Sequence, residues 1–320
     1  MGCSASLLTD EERISVVVFG ASGMVGGAVA RALVKNPRFA VKAISRKPGS
    51  DALRSLAEGG AVIATADLDD TKSLEVAVHG VDVMFLVTHY WEHMDQSKET
   101  QQGKNAVNVA VKCNIKHLVF CGAESVLPIT GKECGHMDAK AAIEEHMKET
   151  GITYTIIRLP FFYENLLGVF RPHNTGDEMY ALALPTEGVA IDCMSVHDMS
   201  RCVVNLLLRP RDFLFRTVGL TVERITAEHM AVTIQKHFSN KQITASNIRV
   251  SDFESFEFKG SQEIAAMFEF YQTGELERDV KITKKLYGSS LSFERWVAEN
   301  RDKIDNVLSN RRFSQMDEIH

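Results

Sequence analysis

Long apolar runs are missing from this chain of 320 residues. No stretch approaches the ~20 consecutive apolar residues that a membrane span requires. An excess of positive charge is missing too. Lys plus Arg number 36 against 42 Asp plus Glu, a formal net charge of −6. That excludes the strongly basic field on which nonspecific nucleic-acid binding depends, so no nucleic-acid partner is expected. The six cysteines, Cys3, Cys113, Cys121, Cys134, Cys193 and Cys202, are scattered and form no Cys-x-x-Cys pair. A disulfide framework or a zinc site is therefore not expected; the cysteines read as reduced cytosolic thiols, mostly buried. No Asn-x-Ser/Thr acceptor occurs, and the start has no basic segment followed by a long apolar one, as a secretory signal would. What is there is ordinary: 45% apolar and 24% charged residues, the balance of a soluble globular chain. The length predicts about two domains, or one large α/β unit with an appendage.

Apolar patterning predicts the architecture. Residues 14–19, Ile-Ser-Val-Val-Val-Phe, form a β-branched run ending at Gly20, which reads as a buried parallel strand and a tight turn. Residues 24–35 follow with helical spacing. The alternation continues with strands at 39–44, 61–65, 81–87, 117–121 and 153–158. Helices are expected between them at 51–58, 71–78, 96–113 and near 137–149. Such alternation with short connections means a Rossmann-type, doubly wound parallel sheet covered on both faces. After Pro160 the rhythm loosens. Strands are expected at 178–184, 189–193, 215–220 and 243–250, and helices at 226–238, 261–271 and 292–308. Ser195-x-x-Asp198 resembles a capping box that opens a helix to Leu208. The predicted organisation is an N-terminal extension at 1–13, a nucleotide-binding Rossmann domain at 14–160, and a smaller C-terminal α/β region at 161–320 packed against it, with 189–208 returning to the first domain.

The strongest local signal is Gly20-Ala21-Ser22-Gly23-Met24-Val25-Gly26-Gly27, between the first strand and the first helix. A pyrophosphate must meet bare backbone N–H groups here, and the helix N-terminus adds positive potential. The end of the second strand selects the dinucleotide. NAD sites usually carry an acid there; this chain has Ser45-Arg46-Lys47-Pro48. A guanidinium clasps a 2′-phosphate through bidentate charge-assisted bonds, so NADP(H) is the expected cofactor, with Arg46 as the main ligand and Lys47 or Ser45 assisting. Asp67, ending the third strand, is a candidate contact to the adenine amino group; its ordinary alternative is helix capping shared with Asp69 or Thr71. His89 and His93 have the spacing of a metal pair but lack a third ligand, so no metal is expected.

Catalysis turns on His136-Met137-Asp138-Ala139-Lys140. Short-chain dehydrogenases place Tyr-x-x-x-Lys on the corresponding helix, where the phenol transfers the proton and the lysine holds the nicotinamide ribose. Here Lys140 is in place and His136 replaces the tyrosine. Imidazole titrates near neutrality, so His136 is the acid/base candidate if the protein is an enzyme; otherwise it is a polar surface or pocket histidine. The N-terminus, Met1-Gly2-Cys3-Ser4-Ala5-Ser6, fits N-myristoylation at Gly2 with palmitoylation at Cys3. One acyl chain binds membranes only marginally, so the second would matter.

Taken together, the segments 18–27, 45–48, 87–92 (Val-Thr-His-Tyr-Trp-Glu), 136–140, 158–167 (Arg-Leu-Pro-Phe-Phe-Tyr-Glu-Asn-Leu-Leu), 184–186 and 194–196 resemble the NmrA-like family of atypical short-chain dehydrogenases/reductases. The similarity runs from about 14 to 300. It implies an NADPH-binding redox sensor that regulates a partner protein according to the NADPH/NADP ratio, with little or no dehydrogenase turnover. The alternative is an NADPH-dependent reductase of quinones or other carbonyl compounds, with Tyr163, Tyr90 or His136 giving the proton. The resemblance also implies cofactor contacts at Gly20 to Val25, Arg46, Asp67, Thr88, His89, Tyr90, Lys140, Phe162, Tyr163, Glu164 and Asn165, a homodimer, and a cytoplasmic location extending to the nucleus or perinuclear region, with membrane association if the N-terminus is acylated. Two departures stand out. Gln101 occupies the place of a cofactor-contacting lysine, and Gly49 and Ser50 stand where the family is more basic.

Overall fold

Successive side chains of Ile14–Val18 (β1) leave the strand on opposite faces. Val16 and Val18 enter one apolar cluster, and Val17 and the following Phe19 enter another. Both faces of the strand are therefore dry, as its continuous β-branched run requires. In the computed structural model, residues 13–246 and 248–309 are described. Gly2 and Cys3, with the rest of the predicted acylation segment, lie outside them.

The chain continues through α1 (Met24–Val34), β2 (Phe39–Ile44), α2 (Asp51–Glu58), β3 (Val62–Ala64), α3 (Thr71–Val78), β4 (Val83–Leu86), α4 (Gln96–Lys112), β5 (His117–Gly122), α5 (Leu127–Thr130), α6 (Gly135–Glu149) and β6 (Tyr154–Arg158). Beyond come β7 (Phe161–Phe162), β8 (His173–Gly176), β9 (Met179–Leu182), β10 (Ile191–Met194), α7 (Val196–Leu208), β11 (Arg216–Gly219) and β12 (Glu223–Ile225). The last elements are α8 (Ala227–His237), β13 (Gln242–Ala245), α9 (Val250–Glu254), α10 (Ser261–Thr273), α11 (Val280–Leu286), α12 (Phe293–Glu299) and α13 (Arg301–Ser309).

Seven strands join in the order β11-β6-β5-β4-β1-β2-β3, and every pairing is parallel. This is the Rossmann order with one further strand at its edge. Residues of α1, α2 and α7 bury one face of the sheet; those of α3, α4 and α6 bury the other. The order reverses between β1 and β4, which opens the crevice where such folds take their ligands. A second layer holds two three-stranded sheets, β12-β10-β7 and β13-β9-β8. Its core includes Tyr163, Phe268, Phe293 and Trp296.

The chain beyond 160 divides between the layers. Helix α7 packs on α1, and β11 pairs with β6 in register from Arg216–Thr155 to Gly219–Arg158. Three local readings need correction. The expected strand at 243–250 stops at Ala245, and α9 begins at Val250. Asp252 accepts from the Arg249 backbone N–H and pairs with its guanidinium, which closes a helical turn there. The expected helix 292–308 is two helices. At the break the Trp296 carbonyl accepts from both the Asn300 side-chain amide and the Asn300 backbone N–H, each at 2.9 Å. Ser195 caps α7 by accepting from the Asp198 N–H at 3.0 Å, but the Asp198 carboxylate turns away to the Leu291 N–H at 2.7 Å. Only half of the predicted capping box forms.

Candidate functional site

The C-terminal ends of β1, β2 and β4 meet at the glycine loop. Gly20 has φ +67°, and a Cβ there would stand 2.8 Å from Val87 at the end of β4. A Cβ on Gly26 would lie 2.6 Å from the Phe19 carbonyl oxygen and closer still to that of Gly20. Helix α1 can therefore approach the loop only because residue 26 has no side chain. The first helical bond runs from the Gly27 N–H to the Gly23 carbonyl at 2.9 Å. The N–H groups of Met24, Val25 and Gly26 precede it and have no intrahelical acceptor. Gly23 provides no side-chain cap, and the first turn of α1 carries no acid. Ser22, Gly23 and Met24 are exposed, while Ala21 is buried. Ala21 and Gly23 donate to the Ile44 and Gly20 carbonyls, so the collar of unsatisfied donors is the start of α1, Met24 to Gly26, at the positive end of the helix, which fits a diphosphate.

Beside it, Ser45 Oγ lies 3.5 Å from Ser22 Oγ and accepts from the Lys47 N–H at 3.1 Å. Arg46 extends to Glu92 in the 3-10 turn Tyr90–Glu92. The contact is two-pronged, with Nη1 2.6 Å from Oε1 and Nη2 2.6 Å from Oε2. Asp67 is spent locally. Its Oδ1 accepts from the Asp69 N–H at 3.0 Å, and the cap of α3 is Asp70, not Asp69 or Thr71. Gln101 bonds to Asn105 one turn along α4 at 2.8 Å.

On the far side of the crevice, Thr88 donates to Glu99 Oε1 at 2.5 Å, and Lys140 Nζ pairs with the same oxygen. The Glu99 side chain is 1% exposed, and its Oε2 is buried without a hydrogen-bond partner among the described residues. The Lys140 charge is therefore already neutralised. His136 is tied to α10. Glu263 Oε1 accepts from both its backbone N–H and its Nδ1, each at 2.6 Å. The Tyr90 hydroxyl donates to Glu263 Oε2 at 3.3 Å. Burial raises the pKa of the Tyr90 phenol, and the charge of Glu263 adds to the rise. Burial pushes Glu263 upward, but its bonds to the His136 side chain and to the His136 and Gly135 backbone, with the His136 charge, together lower its pKa from the ordinary carboxylate value.

Cys134 Sγ lies 3.6 Å from His136 Nδ1, so Cys134, His136 and Glu263 offer three donor atoms in one place. The Glu263 oxygens are already engaged by N–H and O–H donors, and burial raises the Cys134 thiol pKa. The group reads as a hydrogen-bonded cluster. His89 and His93 instead flank Glu92, at 4.0 and 3.8 Å.

The segment after β6 behaves differently from expectation. Phe162 is buried. Tyr163 is fully buried in the second layer, and its hydroxyl donates to Glu223 at 2.6 Å. Its side chain is unavailable to a ligand. Burial and the Glu223 carboxylate both raise its pKa and make it a weaker acid. Glu164 accepts from the Val196 N–H at 3.0 Å and from Trp296 Nε1 at 3.3 Å. With Met24, Ala28, Val196 and Arg201 it lines a groove of about 270 Å³ between α1 and α7. Asn165 follows in the same 3-10 turn, Tyr163–Leu167. Glu92, Glu99 and Glu263 are the site residues that sequence reasoning missed. Glu99 could have been noticed as an acid in the first turn of α4, but that is commonplace; Glu263 is 127 residues from His136, and no local pattern joins them.

Residues 12–303 match the model of the NmrA-like family. The chain belongs to that family. A Dictyostelium discoideum NmrA-like family domain-containing protein is 25% identical over 302 residues, covering 91% of this chain and 99% of that one. Among solved structures, Nmra, a negative transcriptional regulator, in complex with NADP superimposes with a TM-score of 0.78 at 12% identity, over 92% of this chain and 98% of that one. The Citrobacter sp. triphenylmethane reductase complexed with NADP(H) gives a TM-score of 0.74 at 19% identity, over 89% and 99%. At these identities the structural matches establish the shared fold.

Proposed function

We propose that this family member binds NADP(H) and reports the NADPH/NADP balance to a partner protein, with little or no turnover of substrate. The observation that carries the reading is the pairing of a collar of N–H donors with tyrosine hydroxyls that are both engaged. The collar at 24–26, opened by the glycine loop, holds a diphosphate. Arg46, with Lys47 beside it, takes the 2′-phosphate. Thr88 and Lys140 lie across the crevice, both held by the buried Glu99. Nmra, a regulator, and triphenylmethane reductase both hold NADP on this fold. A bound nicotinamide would supply a hydride. Turnover also needs a proton; the Tyr90 and Tyr163 hydroxyls are each committed to a carboxylate, and His136 is tied to Glu263 through Nδ1.

The reductase reading has one observation in its favour. Glu263 fixes the His136 ring through Nδ1, the arrangement that would hold Nε2 for proton transfer. Loss of NADPH absorbance with quinone and aldehyde acceptors separates the two readings. No sustained loss is expected; turnover abolished by His136→Phe would establish the reductase instead. A sensor must also bind the two cofactor forms with different consequences, because a ligand shifts an equilibrium only through its differential affinity for the states. Light scattering at saturating NADPH and NADP+ is expected to give different masses, of the chain alone or with its partner. Acylation at Gly2 and Cys3 would carry this sensor to a membrane, and an intact mass from cells with the transferase tests it.

Arg46→Ala is expected to lower NADPH affinity about tenfold, as charge-assisted bonds of about 1.5 kcal/mol or more are lost, while NADH affinity changes little. Calorimetry with the two reduced cofactors measures this. Full retention of the preference for NADPH in the variant would remove Arg46 from the site.

A further inference from the structure

We propose that Glu92 is an internal stand-in for the 2′-phosphate, a specificity-determining residue that NADP(H) must displace and NAD(H) leaves in place. The inference rests on the reading of Arg46 given above. A guanidinium presents a planar fork that suits carboxylate and phosphate alike. In this structure both prongs are filled by Glu92, at 2.6 Å each. A 2′-phosphate aimed at the same fork meets a like charge already seated there.

The pair is displaceable. The two side chains are 45% and 32% exposed, and exposed ion pairs contribute little. A phosphate carries more charge and more acceptor oxygens than a carboxylate. Released, Glu92 has cations within reach when they are protonated, His89 Nδ1 at 4.0 Å and His93 Nε2 at 3.8 Å. The displacement is also connected to the other end of the crevice. Glu92 follows Trp91, whose ring lies 5.5 Å from Tyr90 and 5.2 Å from His136. The short turn Tyr90–Glu92 thus links the end of β2 to the His136–Glu263 cluster. A dinucleotide with a 2′-phosphate would shift this turn, and one without it would not. That gives the fold a means of telling the two coenzymes apart by conformation as well as by affinity.

The test uses the full chain with NADP+, NAD+ and adenosine 2′,5′-bisphosphate, which carries the 2′-phosphate without a nicotinamide. Affinity is read by calorimetry and the turn by tryptophan emission, with Trp91→Phe assigning the signal to Trp91 and not Trp296. For the wild-type protein, NADP+ and the bisphosphate are expected to shift the emission, and NAD+ to leave it. Glu92→Gln is expected to bind NADP+ and the bisphosphate about two- to fivefold tighter, the scale of an exposed ion pair. Its NAD+ affinity is expected to be unchanged, and its emission shifted before any ligand is added. Unchanged or weaker NADP+ binding by Glu92→Gln, in a protein whose wild type binds NADP+ well, overturns this proposal and leaves the functional reading standing. No binding of any nucleotide by the wild type removes both.

Discussion

Replacing Gly26 with alanine is expected to abolish measurable NADPH binding and to lower the melting temperature by several degrees. The added Cβ would meet backbone on every side, at 2.6 Å from the Gly20 carbonyl carbon and 2.6 Å from the Phe19 oxygen. Neither neighbour is the flexible end of a side chain. Helix α1 must lift from the loop, and overpacking of this kind typically costs about 1–3 kcal/mol. The larger effect is functional, since the lift moves the donor collar as a unit. Gly23→Ala is the informative companion. A Cβ there would lie 3.4 Å from the Gly20 oxygen, and the backbone is extended at φ −88°, so the fold should be kept. The methyl group would still intrude on the exposed loop where a phosphate approaches. Gly23→Ala is thus expected to melt like the wild type and to bind more weakly. Thermal melts and calorimetry on both variants separate packing from recognition; wild-type affinity in Gly26→Ala would refute the collar.

Arg278→Met is expected to destabilise the fold by about 3–5 kcal/mol, the usual cost of leaving a buried partner charge uncompensated. Arg278 joins the segment between α10 and α11 to the ends of β5 and β6. Its side chain is 2% exposed and that of Glu124 is 6%. The guanidinium binds Glu124 through Nη1 at 2.5 Å and Nη2 at 3.2 Å, and donates to the Leu159 carbonyl from Nε and Nη2 at 3.2 and 2.9 Å. Methionine fills the volume and satisfies none of these acceptors.

The pH dependence of this loss has a definite sign. Burial pushes the Glu124 carboxyl up, but Arg278, helped by Arg158, outweighs it and holds the pKa below the ordinary carboxylate value. In the wild type that contribution is full above the unfolded pKa of about 4.3 and is lost as pH falls through the lower folded value. In the variant burial acts with only Arg158, 3.5 Å away, to oppose it. The folded pKa rises, and acid then relieves the penalty. The stability gap between the two proteins should therefore be widest near neutrality and narrow as pH falls through the carboxylate range. Urea titrations at several pH values measure it; a gap that widens on acidification would contradict the assigned charge state of Glu124.

How legible the site was depended on distance along the chain. The loop 20–26 and the cations at 46–47 sit at the ends of strands whose pattern is strong, and Lys140 lies inside α6 four residues after His136, so their places followed from local pattern. Tyr163 was misread because Phe-Phe-Tyr-Glu-Asn gives no sign that all three rings turn inward. The second layer claims it, with Phe293 and Trp296 at 5.2 and 5.5 Å and Glu223 on its hydroxyl. The short strands Phe161–Phe162 and Glu223–Ile225 were missed because their pairing partner, β10, is remote in the sequence.

By itself the sequence determined the parallel sheet, the donor-lined bend and the cation beside it. Alternating burial, glycine's freedom at φ +67° and charge type are properties of neighbouring residues. Only the tertiary structure decided what each charged group already holds. Arg46 holds Glu92, Lys140 holds Glu99, His136 holds Glu263 and Arg278 holds Glu124. Those partners come from elements 41 to 154 residues away, and the strength of each pair depends on burial that no stretch of sequence specifies alone.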